Sequence, residues 1–239
     1  MKLQFVILAL SLSFLFSCKP AENAKSSNKS IDTTVEDQLY KDAIERKDLY
    51  TMLYAVNTIL VKDSSRTELL DTLMYVYYEL GNPVASGILA DKIIAKNPSN
   101  VDALKVAAEA FTSDGSFEKA LVYLERLYSL ESDPKVAYRI GTIYANLGNE
   151  AKAIEAMGVI INNPTEMDEI KIEQPAPSMQ GKTQNIKLRA VAHSMLGIMY
   201  FEALKNKSKA IEQFGKALQV EPNYDLAATY LLEIRRSGK

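Results

Sequence analysis

A Gly-Lys-Thr triplet at Gly181–Thr183 matches the end of the loop with which many proteins hold phosphate groups. Such a loop needs another glycine five positions before the triplet, and Ala176 stands there instead. Pro175 and Pro177 flank that alanine, and proline has no backbone N–H group to donate to a phosphate. The triplet is therefore predicted to be ordinary loop sequence, and no nucleotide is expected as a ligand.

Other residue types that could do chemistry are too few or wrongly spaced. The chain has one histidine, His193, and one cysteine, Cys18, which leaves no zinc-ligand set. Ser194 adjoins His193, but neighbouring residues on a helix point in different directions, so a nucleophile–base pair is not expected. The acidic pair Asp168/Glu169 lacks the alternating oxygen ligands of a calcium loop. We predict no enzyme, cofactor or metal, and a packing role for a partly buried His193.

The composition is that of a globular protein without a strong charge bias. The chain has 239 residues, of which 47% are hydrophobic and 24% charged, with a formal net charge of -2. Because nucleic-acid-binding proteins usually present a broad cationic surface, nucleic acid is not expected as a partner.

The first residues differ from the rest of the chain. Lys2 is followed by the apolar run Leu3–Phe16, which has 14 residues. A bilayer-spanning helix needs about 20 apolar residues, so this run is too short to span comfortably. A basic residue before a short apolar core is typical of a secretory signal, here assigned to residues 1–17.

The end of this signal resembles the lipobox of bacterial lipoproteins, with Leu15, Ser17 and Cys18 at the expected positions and Phe16 in place of a smaller residue. The resemblance implies cleavage before Cys18, a diacylglycerol thioether on its sulfur and a fatty acyl group on its amine. Lys19 resembles the outer-membrane sorting signal of many Gram-negative bacteria. The alternative is an ordinary secretory peptide with a chance cysteine, and inner or outer membrane remains open.

A polar segment, residues 18–34, follows the signal. It is rich in Lys, Ser and Asn, so it cannot bury enough apolar surface to order itself and is predicted to be a flexible tether. A flexible chain of about 16 residues has a root-mean-square reach on the order of 20 Å, which clears lipid headgroups.

Aromatic residues followed four positions later by glycine recur along the chain. The three pairs are Tyr77/Gly81, Phe111/Gly115 and Tyr144/Gly148. Their glycines are 34 and 33 residues apart, and apolar residues lie between them at helical spacing. Glycine costs about 1 kcal/mol inside a helix, so Gly141 and Gly197 indicate close approach of a neighbouring helix.

This pattern resembles the tetratricopeptide repeat family, in which each repeat is a helix-turn-helix unit. The fullest copy runs from Arg189 to Pro222 and contains Leu196, Gly197, Tyr200, Ala210 and Phe214. The resemblance implies an all-α solenoid of about five such units over residues 35–238. Because stacked units leave the last one uncovered, we read the final segment as a capping helix with Leu226, Tyr230 and Ile234 inward and Asp225, Glu233 and Arg235 in water.

The repeat period breaks at about residues 165–188. Two short runs there alternate apolar and polar residues, around Ile170–Glu173 and Ile186–Arg189, and they flank a segment with Pro175, Pro177 and Gly181. Alternation on both sides of a loop is typical of a β-hairpin, so a short β-hairpin-like insert is predicted between the fourth and fifth helix pairs. It either contacts a partner or only covers a helix pair.

In this repeat family the inner groove is lined by the first helix of each unit. The residues that this implies here are Asp71, Tyr75, Tyr78, Lys105, Glu109, Lys135, Tyr138, Arg139 and Phe201. Lys135 and Arg139 resemble half of the clamp with which some members hold a peptide carboxylate, but Asp71 and Tyr75 replace the other half. Some of the tyrosines have inter-repeat packing as their alternative role.

Taken together, these residues predict a non-catalytic, lipid-anchored repeat scaffold of the bacterial envelope, on the periplasmic side and most simply at the outer membrane. It would bind a protein or peptide segment in its groove and support assembly of an envelope complex. The alternative is an envelope lipoprotein that captures a solute or glycan, for which exposed tyrosines would stack on sugar rings.

Overall fold

The computed structural model describes residues 32–162 and 169–236. The predicted signal peptide at 1–17, the predicted lipidation site Cys18 and the predicted tether up to residue 31 lie outside the described residues. Within the described part, no helix is both long and apolar enough to cross a membrane.

Eleven α-helices in the described residues form five helix-turn-helix pairs and a final single helix, as predicted. The pairs are α1 Thr34–Arg46 with α2 Leu49–Lys62, α3 Leu69–Glu79 with α4 Pro83–Lys96, α5 Val101–Ser113 with α6 Phe117–Glu131, α7 Pro134–Asn146 with α8 Glu150–Ile161, and α9 Leu188–Glu202 with α10 Lys207–Val220. The final helix is α11, Asp225–Arg236.

The repeated glycines end the first helix of three pairs. Gly81, Gly115 and Gly148 have φ angles of 69°, 77° and 70°, in the left-handed region that favours glycine. The N–H group after the glycine bonds back to the carbonyl of the aromatic residue, as in Asn149 N to Tyr144 O at 2.8 Å. The fifth pair lacks the glycine, and Lys205 takes the left-handed conformation there with φ 52°.

The two helix glycines mark close helix contacts, as predicted. A Cβ atom on Gly197 would lie 2.7 Å from Cε1 of Phe214, on the paired helix α10. On Gly141 it would lie 2.5 Å from the terminal methyl of Met157, on α8. Both partner side chains are fully buried, so each glycine lets the two helices of its pair pack closely.

The predicted insert is a two-stranded antiparallel sheet between the fourth and fifth pairs. Strand β1, Lys171–Ala176, pairs with strand β2, Lys182–Lys187, and a 3-10 turn, Pro177–Met179, follows β1. We call β1, this turn and β2 the insert. The alternation predicts Pro175 in the loop, but Pro175 lies in β1, opposite Thr183 of β2. The paired strands are therefore longer than predicted at the turn end. Proline is tolerated there because both strands are sheet edges.

The insert docks on the capping helix α11 and on the loop before it. Ser178 donates from its backbone N–H to Asp225 Oδ2 at 2.8 Å, and its hydroxyl donates to Asp225 Oδ1. The Gln184 amide donates to the Asn223 carbonyl at 2.9 Å, and its oxygen accepts from the Asp225 N–H group. Asp225 is therefore half-buried against the insert, and the prediction that it faces water is wrong.

Apolar residues of the insert join the C-terminal core. Ile186 is buried, and Ile172 packs beside it from the other strand. The fully buried ring of Tyr224 lies in the same core, and its hydroxyl donates to Gln174 Oε1 at 3.3 Å. Every second residue of β1 thus faces the solenoid, as expected for a strand with one buried side.

Candidate functional site

A groove runs across the first helices of the second, third and fourth pairs. Its volume is about 770 Å³, within the range of about 300–1,000 Å³ that is usual for ligand pockets. We call it the central groove. Its lining residues are Asp71, Met74, Tyr75 and Tyr78 from α3, Asn100, Asp102, Lys105, Val106 and Glu109 from α5 and its cap, Leu127 from α6, and Asp133, Lys135, Val136 and Arg139 from α7 and its cap.

Helical spacing explains why these side chains share one surface. On α3, residues 71, 74, 75 and 78 recur every three or four positions, and α5 repeats this with 102, 105, 106 and 109. The side chains of Met74 and Val136 are buried at the base of the groove, whereas Tyr75 is 53% exposed and Tyr78 45% exposed. The groove therefore has an apolar floor and an aromatic wall.

Two ion pairs lie along the groove wall. Arg139 Nη2 lies 2.8 Å from Glu109 Oε2, and Lys105 Nζ lies 3.1 Å from Glu131 Oε1. The first ion pair ties the third repeat to the fourth, whereas the second joins α5 to the end of α6 within the third repeat. All four side chains are partly exposed, so each ion pair adds at most about 1 kcal/mol to stability.

Two charged residues of the groove, Lys135 and Asp102, have neither an ion pair nor a side-chain hydrogen bond among the described residues. Lys135 is exposed, and only its backbone N–H group is engaged, by the capping carboxylate of Asp133 at 2.8 Å. Asp102 is exposed in the first turn of α5. Nearby, Asn100 Nδ2 donates to Asp71 Oδ1 at 3.2 Å, which links the second repeat to the start of α5.

The structure brings seven of the nine sequence-predicted groove residues together. Those that line the central groove are Asp71, Tyr75, Tyr78, Lys105, Glu109, Lys135 and Arg139. The polar lining residues Asn100, Asp102 and Asp133 are not among the nine, although Asp102 lies one helical turn before Lys105 and that spacing predicts it. The binding role of all these residues remains a prediction.

Tyr138 and Phe201 do not line the central groove. The insert packs over Tyr138, whose hydroxyl lies within hydrogen-bonding reach of Gln174, and burial raises the pKa of this hydroxyl. Phe201 makes an edge-to-face contact with Tyr230 of α11, with 6.4 Å between ring centroids. The insert and the capping helix thus occupy the surface that would otherwise continue the groove past α7.

The histidine serves packing, as predicted. His193 is only 6% exposed, and its Nδ1 atom lies 2.8 Å from Oε1 of Gln213 on α10. Burial lowers the pKa of the imidazole below its ordinary value of 6.5. Ser194 is also buried and points into the protein rather than towards a surface site.

The Gly-Lys-Thr triplet lies at the end of the insert turn. Gly181 has a φ of 72°, and Lys182 and Thr183 begin strand β2. The Thr183 hydroxyl donates to Glu173 across the sheet. A phosphate loop would instead lead into a helix N-terminus, so this geometry differs from that of a phosphate loop. The prediction that the triplet is loop sequence is correct for Gly181 and wrong for Lys182 and Thr183, because both pair with β1. Among the described residues there is no group of three or more His, Cys, Asp or Glu side chains arranged to hold a metal.

Comparison with known proteins bears on the repeat fold. Residues 134–158, which cover most of α7 and α8, match the tetratricopeptide repeat. No curated protein sequence matches this chain significantly.

Solved structures of repeat proteins have a similar fold. YrrB, described as a tetratricopeptide repeat protein with an unusual peptide-binding site, is 19% identical over 85% of this chain and 93% of its own, with a TM-score of 0.62. MamA from Desulfovibrio magneticus is 18% identical over 81% of this chain and 97% of its own, with a TM-score of 0.56. A tetratricopeptide repeat protein from Parabacteroides merdae is 17% identical, covers 80% of this chain and 67% of its own, and has a TM-score of 0.57.

These likenesses define the class of the fold. The described residues form an all-α, tetratricopeptide-type solenoid with a small β insert.

Proposed function

We propose that this chain is a non-catalytic scaffold that binds a segment of another protein in its central groove. The observation that supports this most is the convergence of exposed tyrosines and mixed charges from three successive repeats on one groove. Tyrosine offers a large contact area at little entropic cost, and it is enriched where proteins bind other proteins. A solved protein of similar fold, YrrB, is described as having a peptide-binding site, which agrees with this use of the fold.

The test compares two tyrosine pairs of equal character. Tyr75 and Tyr78 line the central groove, whereas Tyr50 and Tyr54 are 75% and 64% exposed on α2 and do not. Proteins captured from detergent-solubilised envelopes of the cells that make this chain would be compared for wild type, Y75A/Y78A and Y50A/Y54A. We expect Y75A/Y78A alone to lose a captured protein. Loss only with Y50A/Y54A, or equal capture by all three, would contradict the proposal.

A second double variant tests the basic side of the groove. Lys135 and Arg139 are the residues that resemble half of a carboxylate clamp, and both line the groove. If the partner presents a carboxylate to Lys135 and Arg139, we expect K135A/R139A to lose the same captured protein that Y75A/Y78A loses. If the same proteins are recovered with this variant, these two residues have no part in recognition.

The proposal extends to where the scaffold acts. We infer that Cys18 is lipidated and holds the solenoid on the periplasmic face of the envelope, where it supports assembly of a complex. The support is the sequence alone: a short apolar run, a lipobox-like junction and the lone cysteine within it. Each buried methylene contributes about 0.8 kcal/mol, so three acyl chains would give firm attachment.

Detergent phase partitioning tests the anchor. The wild-type protein is expected in the detergent phase with a lipidated N-terminal fragment by mass spectrometry, and C18A is expected in the aqueous phase. A wild-type fragment with an unmodified Cys18 would refute the anchor without affecting the binding proposal.

The alternative, capture of a solute or glycan, has less support. Sugar-binding sites favour aromatic side chains stacked in a narrow pocket. The central groove has seven charged residues and only two exposed tyrosines, Tyr75 and Tyr78. This mixed-charge surface suits a polypeptide better.

A further inference from the structure

The charges of the central groove do not balance. Its lining has four acidic side chains and three basic ones; the acidic ones are Asp71, Asp102, Glu109 and Asp133, and the basic ones are Lys105, Lys135 and Arg139. The protein already neutralises two of the basic ones, because Arg139 pairs with Glu109 and Lys105 with Glu131. Only Lys135 is left to offset Asp71, Asp102 and Asp133.

Asp133 and Lys135 lie two positions apart at the start of α7, where the Asp133 carboxylate caps the helix by accepting from the Lys135 N–H group. The Asp133 carboxylate is therefore engaged as a helix cap. The carboxylates of Asp71 and Asp102, on α3 and α5, have no ion pair within the part of the chain that the structure describes. Asn100 links the helices that carry Asp71 and Asp102. Its side-chain amide donates to Asp71 of α3, and it caps α5, whose first turn contains Asp102.

An aromatic ring adjoins this acidic region. Tyr75 follows Asp71 by one helical turn on α3, so both side chains face the same side of the helix. Tyr75 is 53% exposed, and Met74 beside it is buried. An accessible ring next to carboxylates is favourable for a Lys or Arg side chain, whose stem packs on the ring and whose charge meets the carboxylates.

We propose that the segment bound in the central groove is cationic, with a Lys or Arg side chain over Tyr75 and its charge between Asp71 and Asp102. This inference rests on the proposed function and specifies the chemistry of its partner. Charge complementarity excludes an acidic segment as the best ligand, because it would meet two carboxylates that no cationic side chain of residues 32–162 or 169–236 neutralises.

The test uses three fluorescent peptides of about eleven residues that share a Gly/Ser/Ala background and carry three Lys, three Gln or three Glu residues. Fluorescence anisotropy of the purified chain gives a Kd for each peptide. We expect the Lys peptide to bind best, and its binding to weaken as salt is raised because the charges are exposed. Tightest binding of the Glu peptide, or equal binding of all three, would overturn the proposal.

Two charge-matched variants locate the effect. D71N/D102N keeps the side-chain shapes and removes two negative charges from the groove. E45Q/E118Q removes two from exposed positions on α1 and α6 that do not line it. Removing two exposed charge contacts weakens binding by about fivefold to tenfold. We expect this loss of affinity for D71N/D102N, and with the Lys peptide only. An equal loss with E45Q/E118Q would mean that net charge alone attracts the peptide, and would refute the site.

The tyrosine is tested separately. Removing one cation–ring contact at an exposed site weakens binding by about threefold. We expect this loss of affinity for the Lys peptide with Y75A, and no loss with Y54A. Thermal melting of each variant checks that the fold is intact. If the Gln peptide binds as well as the Lys peptide and both lose affinity with Y75A, the groove binds polypeptide and only the cationic preference fails. If no peptide binds, while envelope capture still depends on Tyr75 and Tyr78, this inference fails and the proposed function stands.

Discussion

Gly197 of α9 lies against the ring of Phe214 of α10, and a Cβ atom at position 197 would come within 2.8 Å of three ring atoms. The ring is fully buried, so it cannot move aside freely. The separation of the two helices of the fifth pair is therefore set by the absence of one methyl group.

We expect G197A to destabilise the protein although alanine favours helices. The overpacking costs about 1–3 kcal/mol, against a helix-propensity gain of about 1 kcal/mol. The matched control is G215A, in the next helix, where no atom lies within 4 Å of the added methyl. Urea unfolding should show G197A less stable than wild type and G215A more stable. Stabilisation by both would show that Phe214 can yield.

The only histidine of the sequence predicts a narrow pH dependence of stability. Burial lowers the pKa of His193 in the folded protein, so between that pKa and about 6.5 the unfolded chain binds a proton that the folded chain does not. Stability should therefore decrease as the pH falls from about 7.5 to 5.5. The variant H193Q has no such group, and its melting temperature should change less over this interval. Equal slopes for both proteins would contradict the predicted shift.

Asp225 holds the insert to the capping helix. In D225A the two bonds from Ser178 are lost, and the expected destabilisation is about 1–3 kcal/mol because the acceptor is charged and partly exposed. Glu233 is an exposed acid on the same helix and serves as the control in E233A. Amide hydrogen exchange of Lys182–Lys187 should accelerate in D225A only. Unchanged exchange there would mean that apolar packing alone holds the insert.

A tyrosine–carboxylate pair links the second and third repeats on another side of the solenoid. Tyr123 donates to Asp91 Oδ1 at 2.5 Å, and its ring stacks on Phe111 with centroids 5.5 Å apart. Burial, with the help of Asp91, raises the pKa of Tyr123 to about 12. The folded protein thus keeps a proton that the unfolded chain loses above about pH 10, so the stabilisation should decline as pH rises through the interval between these values.

The variant Y123F tests this pair. Near neutral pH it should be less stable by about 0.5–1.5 kcal/mol, since Asp91 keeps only its ion pair with Lys119. The stability difference between wild type and variant should shrink when the comparison is repeated near pH 11. A constant difference would show that the hydroxyl does not titrate as expected.

The parts of the fold that could be predicted from sequence are those set by local chemistry. The glycine at the end of a first helix determines a turn within a few residues, so the spacing of Gly81, Gly115 and Gly148 predicts helix pairs with a period of about 34 residues. The central groove followed because its members recur at helical spacing. Asp71 and Tyr75, for example, must share a face wherever α3 lies.

The parts that could not be predicted depend on contacts between distant residues. The insert was foreseen as a hairpin, but Gln174 meets Tyr224, which lies 50 positions later in the chain. No local pattern signals the contacts of the insert with Tyr138 and Asp225 either, so the sequence alone predicts an open groove at Tyr138 and a solvent-facing Asp225. The surface left free for a ligand is accordingly shorter than the number of repeats suggests.

Repeat arrays ordinarily unravel from their ends one module at a time, because each module touches only its neighbours. Here the insert, which precedes the fifth pair in the chain, is hydrogen-bonded to α11 and to the loop before it, which follow that pair. The fifth pair is therefore held by elements on both sides of it in the sequence. A proteolytic cut between Val220 and Asp225 would break the chain between α10 and the helix that carries Asp225, the acceptor of the bonds from Ser178. Removing α11 would therefore destabilise the insert as well, although the insert lies before α9 in the chain.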